Sequence, residues 1–373
     1  MAAETLIDNG LCTLNAQSVA EHVARMIVTL VENGLPFTLF PSLMLWGAPG
    51  VGKSESVKLA AEMIEKQTGK RVNVTDVRLQ IYNPADLHGI PVADAGRQFA
   101  IWLRPKIFRM DDSSDIVNVL FLDELTSAPQ QVQAAAYQIT LDRMVGEHRL
   151  PDNCVVIAAS NRVTDRSVSF KMPKALANRL CHIEIEADHE AWLQWARRSG
   201  IDPIVVGFID HRPEYLMKFA GVTDELAFPT PRSWETAAKY VKLYGSVDAA
   251  MPFIVGSVGT EAAYALKTWA DVWHLLPSMN DVFHGRQVSY PTRPDVLYAL
   301  VSAMLSYAGR RTTTLQEILS SVHFGAKLPP EYGVLLFRGY MKLQNKCDDI
   351  KEALIQNRDF SAWLVKNGRF MEG

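Results

Sequence analysis

The chain has 373 residues; 48% are hydrophobic, 21% are charged, and the formal net charge is −3 with a pI near 6.3. Such a composition belongs to a globular protein of one large or two to three ordinary domains, long enough to bury a sizeable core. It argues against a nucleic-acid-binding field spread over the whole chain, while a local basic groove stays open as an alternative.

Residues 18–33 read as an amphipathic helix, with Ser18 as its cap and Gly34 just past its end. Residues 43–46 (Leu-Met-Leu-Trp) form an apolar run of strand type, and 56–66 set Val57, Ala60, Ala61 and Ile64 on one helical face. Between them lies the stretch Gly47, Ala48, Pro49, Gly50, Val51, Gly52, Lys53, Ser54, Glu55. It fits the pattern G-x-x-x-x-G-K-[ST], with a strand before it and a helix after it. Glycines let the backbone curl so that its N–H groups face a polyphosphate, and the helix N-terminus adds its positive dipole end. Lys53 would reach the β- and γ-phosphates, and the Ser54 hydroxyl would ligate Mg²⁺.

Further strands are expected at 72–79, 116–122, 154–159 and 181–185. Strands separated by helices predict an α/β fold with a parallel sheet covered on both faces. From Asp188 onward strand signals vanish and helical periods take over, at 189–199, 203–209, 232–244, 260–276, 294–308, 314–321, 330–343 and 347–356. Breaks rich in Pro, Gly and Ser fall near 228–231, 277–293 and 324–330.

A phosphate loop needs an acidic site on a neighbouring strand before it can hydrolyse anything. The stretch VLFLDEL supplies one, with Asp123 and Glu124 emerging at the carboxyl end of a buried strand. Asp123 would hold Mg²⁺ through its water shell, and Glu124 would polarise the attacking water. Asn161, just past the next apolar run, would orient water against the γ-phosphate. Arg179, before the last strand, would act on a neighbouring subunit's nucleotide; Lys174, Arg162 and Arg166 are rival cations for that role. Arg232, in the first turn of a helix after Pro231, would reach the nucleotide from a lid.

GAPGVGKS, VLFLDEL, IAASNR, ALANRL and TPRSW resemble, in order and spacing, the Walker A, Walker B, sensor 1, arginine finger and sensor 2 motifs of an AAA+ ATPase. The chain is similar to the MoxR-type and dynein-related (midasin-like) branch, because 83–105 and 141–153 look like the two inserts of that branch. Each insert places turn residues between short arms: Ala93, Asp94, Ala95 and Gly96 in the first, Val145, Gly146 and Glu147 in the second. The resemblance covers roughly residues 20–245. It implies a P-loop AAA+ core with a five-stranded parallel sheet between helices (1–187), an α-helical lid (188–257) and a helical C-terminal extension (258–373). It also implies ATP and Mg²⁺ as ligands and a homo-oligomeric, hexameric ring with the inserts facing its pore. A chaperone-like action on a protein client is implied too, in concert with a von Willebrand factor A domain protein. Trp46 departs from the family, which commonly has smaller aliphatics there, and the helical extension after the lid lies beyond the part of the chain that the resemblance covers.

Cys12, Cys154, Cys181 and Cys347 are scattered without a C-x-x-C pair, so buried or inert thiols in a reducing compartment are expected. No apolar run approaches the ~18 residues needed to span a bilayer, and the N-terminus lacks the basic region of a signal peptide. A cytoplasmic protein without a membrane partner is expected. Trp269 and Trp273 read as helix packing, and Arg310 and Arg311 as a solvated helix start. His88 and His148 fall in the inserts as polar loop residues. Against the remodelling ATPase stand two other readings. One is a nucleic-acid motor or loader whose pore is lined by Arg97, Arg104, Lys106, Arg143 and Arg149. The other is a switch that binds ATP without useful turnover, which the presence of Glu124 and Asn161 disfavours.

Overall fold

The computed structural model describes residues 6–8, 11–161, 172–218, 226–309, 313–343 and 347–367. They form two compact units, divided after Ala187.

The first unit runs β1 (Leu6–Asp8), β2 (Leu11–Leu14), α1 (Ala16–Glu32), β3 (Leu43–Trp46), α2 (Lys53–Thr68), β4 (Arg71–Arg78), α3 (Pro84–His88), β5 (Ile90–Ala93), β6 (Ala100–Leu103), β7 (Ile116–Asp123), α4 (Gln130–Asp142), β8 (Met144–Val145), β9 (His148–Arg149), β10 (Cys154–Ser160), α5 (Lys174–Ala177) and β11 (Cys181–Ile185). The main sheet has the order β1-β2-β11-β3-β10-β7-β4. The five strands expected from the sequence lie side by side and parallel, and β2 and β1 widen the sheet to seven strands, β1 antiparallel. β10 is buried along its whole length and β7 all but its last residue, which is why both read as largely apolar runs, Asn118 in β7 being satisfied by the Asp111 carbonyl and Asn153. One sheet face packs on α4: Met44, Leu120, Leu122, Val156 and Ala158 meet Val132, Ala135, Ala136 and Ile139. Helix α1 starts two residues earlier than expected. Asn15, not Ser18, is its cap, and the Asn15 side chain accepts the Ser18 backbone N–H at 2.8 Å.

Both inserts are hairpins. In the first, β5 pairs with β6, and Asp94 Oδ1 accepts from the Gln98 and Phe99 backbone N–H groups, closing the turn. In the second, β8 pairs with β9 around Gly146. The two touch: His148 Nε2 lies 2.7 Å from the Trp102 carbonyl, and a Cβ on Gly146 would stand 2.5 Å from the His88 carbonyl.

The second unit is helical throughout its described residues: α6 (His189–Arg198), α7 (Pro203–His211), α8 (Pro231–Tyr244), α9 (Val247–Val258), α10 (Thr260–Trp273), α11 (Met279–Phe283), α12 (Pro294–Ala308), α13 (Leu315–Gly325), α14 (Pro330–Met341), α15 (Cys347–Gln356) and α16 (Arg358–Asn367). Helix α9 escapes sequence reading because Pro252 sits inside it. The Trp269 indole is buried and donates to the Ile204 carbonyl at 3.1 Å, while Gly207 lets Trp273 approach α7. Trp234 is fully buried, donates to the Tyr215 carbonyl at 2.6 Å and lies 5.4 Å from the Phe208 ring. Trp234→Ala is therefore expected to destabilise this unit by about 3–5 kcal/mol, read as a lowered denaturant midpoint; an unchanged midpoint would refute that packing. No helix among the described residues is long and apolar enough to cross a membrane. Burial pushes the Cys154 thiol up to about 12, in line with an inert group, whereas Cys181 is exposed and so departs from the expected burial.

Candidate active site

The phosphate loop links β3 to α2. Gly50 and Gly52 hold φ of +80° and +107°, a region that side chains other than glycine rarely adopt. A Cβ on Gly47 would stand 2.4 Å from the Ile185 carbonyl oxygen, so β11 closes the back of the loop. Gly52 precedes α2 and offers no side-chain cap, which leaves the first N–H groups of a 16-residue helix available to an anion.

Lys53 is the first residue of α2 and is buried, with Nζ 2.6 Å from the Gly47 carbonyl, 3.1 Å from the Ala48 carbonyl and 2.8 Å from Asn161 Oδ1. One ammonium thus ties the loop to the end of β10, 108 residues away in sequence. Ser54 follows, and its hydroxyl lies 3.4 Å from Asp123 Oδ2 at the end of β7. A hydroxyl beside a carboxylate suits a hard cation that keeps waters and substrate oxygens as its other ligands. Among the described residues no group of three or more His, Cys, Asp and Glu converges as a metal site.

Burial raises the pKa of Asp123, and Asp76 on β4 adds to this; the Glu124 backbone N–H, Lys53 and Ser54 oppose it. The Glu124 N–H reaches Asp123 Oδ1 at 2.9 Å. A carboxyl whose folded pKa is raised favours folding while protonated, and that contribution is lost as pH rises through its folded pKa. Above that pKa the buried carboxylate is less well solvated than in the unfolded chain, and the metal-free fold is the less stable for it. Asp123→Asn is expected to raise the melting temperature of the nucleotide- and metal-free protein, by about 2–4 °C per kcal/mol relieved. A lower melting temperature would contradict this.

Glu124 adopts φ +59°, ψ +39°, a left-handed conformation in a residue with a side chain. Such backbone costs about 1–3 kcal/mol and persists where the surroundings impose it. Here the surroundings are a buried polar knot. The Thr126 N–H donates to Ser160 Oγ at 3.0 Å, their hydroxyls are 2.5 Å apart, and Gln133 Nε2 reaches the Thr126 and Ala128 carbonyls at 3.1 and 2.8 Å. Ser160 falls inside the IAASNR stretch, whereas Thr126 and Gln133 lie in a mixed polar segment, 125–133, that gives no signal of its own.

The structure thus brings Lys53, Ser54, Asp123 and Asn161 together, with Glu124 on the same strand end. Arg179 is exposed just after α5 and makes no ion pair with a described residue; Lys174 is exposed at the start of α5. Arg162 and Arg166 lie outside the described residues. Arg232 is exposed in the first turn of α8, in the second unit. Arg143 corrects the expectation of a basic pore residue. It is buried at the end of α4 with φ +56°, its Nη2 donates to the Cys154 carbonyl, and burial lowers its pKa. Arg97, Arg104, Lys106 and Arg149 are exposed.

Residues 42–182 match the model of the ATPase family associated with various cellular activities (AAA), in its AAA_3 branch. This unit is an AAA ATPase domain of the MoxR type. The matched segment opens one residue before β3 and closes inside β11, so it contains the phosphate loop and every residue gathered at it. No curated protein matches the chain in sequence. Among solved structures, the chain is similar to a Cytophaga hutchinsonii protein described as a candidate ATPase, at 15% identity over 82% of this chain and 79% of that one, TM-score 0.34. It is also similar to a variant of Thermotoga maritima RuvB, at 14% identity over 78% and 83%, TM-score 0.33. A third is ORC2 of Aeropyrum pernix, at 13% identity over 76% of each chain, TM-score 0.40. The AAA domain binds and hydrolyses ATP.

Proposed function

We propose that the chain works as a Mg²⁺-dependent, ring-forming ATPase, hexameric as in the family it resembles, that remodels or activates a protein partner in the cytoplasm. The observation that carries this reading is the Lys53 ammonium held between the phosphate-loop carbonyls and Asn161, beside the Ser54–Asp123 pair.

Bound Mg²⁺ would supply charge neutralisation across the phosphates. The loop from Gly47 to Glu55 wraps the phosphates with backbone N–H groups. Lys53 exchanges its loop carbonyls for phosphate oxygens and keeps them aligned. Ser54 and Asp123, whose oxygens lie 3.4 Å apart, are the residues that would hold the metal. Glu124, directed by its left-handed backbone, accepts a proton from the attacking water, and Asn161 orients that water. Arg179 completes the site of the next subunit, and Arg232 acts from a lid spanning 188–257. The extension 258–373 selects the partner, for which a von Willebrand factor A domain protein is the family's precedent. The nucleic-acid alternative is weakened because buried Arg143 drops out of its basic set. Light scattering with a non-hydrolysable ATP analogue tests the assembly step: wild type is expected to form a multimer that Lys53→Ala does not. A monomer under all conditions would overturn the ring.

A further inference from the structure

Trp46 is the last residue of β3, next to Gly47 of the phosphate loop, and His182 is the second residue of β11. In the register of these parallel strands His182 is opposite Met44, so Trp46 is its diagonal neighbour on the same sheet face. The two rings are nearly parallel, at 19° with centroids 6.0 Å apart, and Trp46 Nε1 lies 2.9 Å from His182 Nδ1. An indole N–H can only donate, so Nδ1 is the acceptor and the imidazole hydrogen sits on Nε2. That nitrogen is 2.7 Å from the Ala177 carbonyl.

Ala177 ends α5, and Arg179 lies two residues on. The Leu180 N–H also returns to the Ala177 carbonyl, at 3.2 Å, and the Cys181 N–H is held by the Ser42 carbonyl at 3.0 Å. The turn from Ala177 to His182 is therefore closed across its base by the imidazole, with Arg179 exposed at its tip. The same imidazole is anchored on its other side to the residue that begins the phosphate loop. An aliphatic residue at position 46 would fill space but could not hold that ring by a hydrogen bond.

We propose that His182 is a positioning residue that ties the Arg179 turn to the phosphate loop through Trp46, linking each subunit's own nucleotide site to the arginine it offers its neighbour. The inference rests on the reading of Arg179 as the arginine acting in trans. Misplacing a catalytic group by about 1 Å costs on the order of 10²-fold in rate, so loosening this turn acts on turnover and not on nucleotide affinity.

Four purified full-length variants test it: His182→Phe, which keeps the stacked ring and loses both hydrogen bonds; His182→Gln, whose amide can accept and donate; Trp46→Phe; and Arg179→Ala. The readouts are kcat for Mg-ATP and the dissociation constant of a fluorescent ATP analogue. His182→Phe and Trp46→Phe are each expected to lower kcat by about 10–100-fold with nucleotide affinity unchanged, and His182→Gln to recover most of the rate. Combined with Arg179→Ala, neither lowers the residual single-turnover rate further. The inference is overturned if His182→Phe turns over like wild type, if it weakens nucleotide binding in step with the rate, or if its penalty persists in the Arg179→Ala background. Wild-type turnover by Arg179→Ala itself would remove the premise, and that single rate tells the two failures apart. Should His182→Phe not fold, Trp46→Phe alone carries the same test.

Discussion

Glu124→Gln is expected to lower ATP turnover by about 10²–10⁴-fold, the range associated with losing a positioned general base, while ATP affinity stays within a few-fold of wild type. The physical ground is that the Glu124 side chain takes no part in the contacts that shape the phosphate cradle, its backbone N–H alone reaching Asp123. Those belong to Lys53, Ser54, Asp123 and Asn161. Glutamine keeps the size and the left-handed backbone at φ +59° but offers no carboxylate to receive a proton. The variant should therefore hold ATP and stay assembled. The check is phosphate release beside equilibrium binding of a fluorescent ATP analogue. Wild-type turnover in Glu124→Gln would move the base elsewhere; lost binding would mean that Glu124 holds the loop together.

Arg179→Ala is expected to reduce turnover by about 10³–10⁵-fold, the worth of an arginine that stabilises transition-state charge. This arginine is exposed and makes no ion pair with a described residue, so its removal should leave the fold intact. Surface arginines without partners contribute little to stability. A melting temperature near that of wild type alongside a large rate loss would separate catalysis in trans from structural support. The decisive check is mixing. Arg179→Ala subunits retain an intact phosphate loop and base, and Glu124→Gln subunits, which stay assembled, retain an intact arginine. If the arginine acts across the interface, mixtures of the two inactive variants should recover activity that neither has alone.

Much of the catalytic half was legible because its chemistry forces residue types into fixed places. Gly47, Gly52 and Lys53 must keep their spacing for a loop to curl around phosphates, and β7 and β10 must be apolar because both faces of the sheet are covered. Other features arise from contacts that no local pattern encodes. β1 and β2 are three and four residues long and gain their place only by pairing with each other and with β11. Asn15 outcompetes Ser18 as a cap because the helix begins earlier than its apolar stripe suggests. Arg143 has the composition of a pore cation but ends α4 in a left-handed turn that folds it inward. Trp46 was visible only as a departure from the family; its meaning depends on His182, 136 residues away.

Completion of the active site between subunits makes turnover depend on assembly. This dependence is tested most directly by phosphate release per subunit as a function of protein concentration, with Mg-ATP saturating and Glu124→Gln as the blank. The specific rate is expected to be close to zero in dilute protein, to rise with concentration and to reach a plateau when assembly is complete. A specific rate that is the same in dilute monomer as in concentrated protein would contradict it.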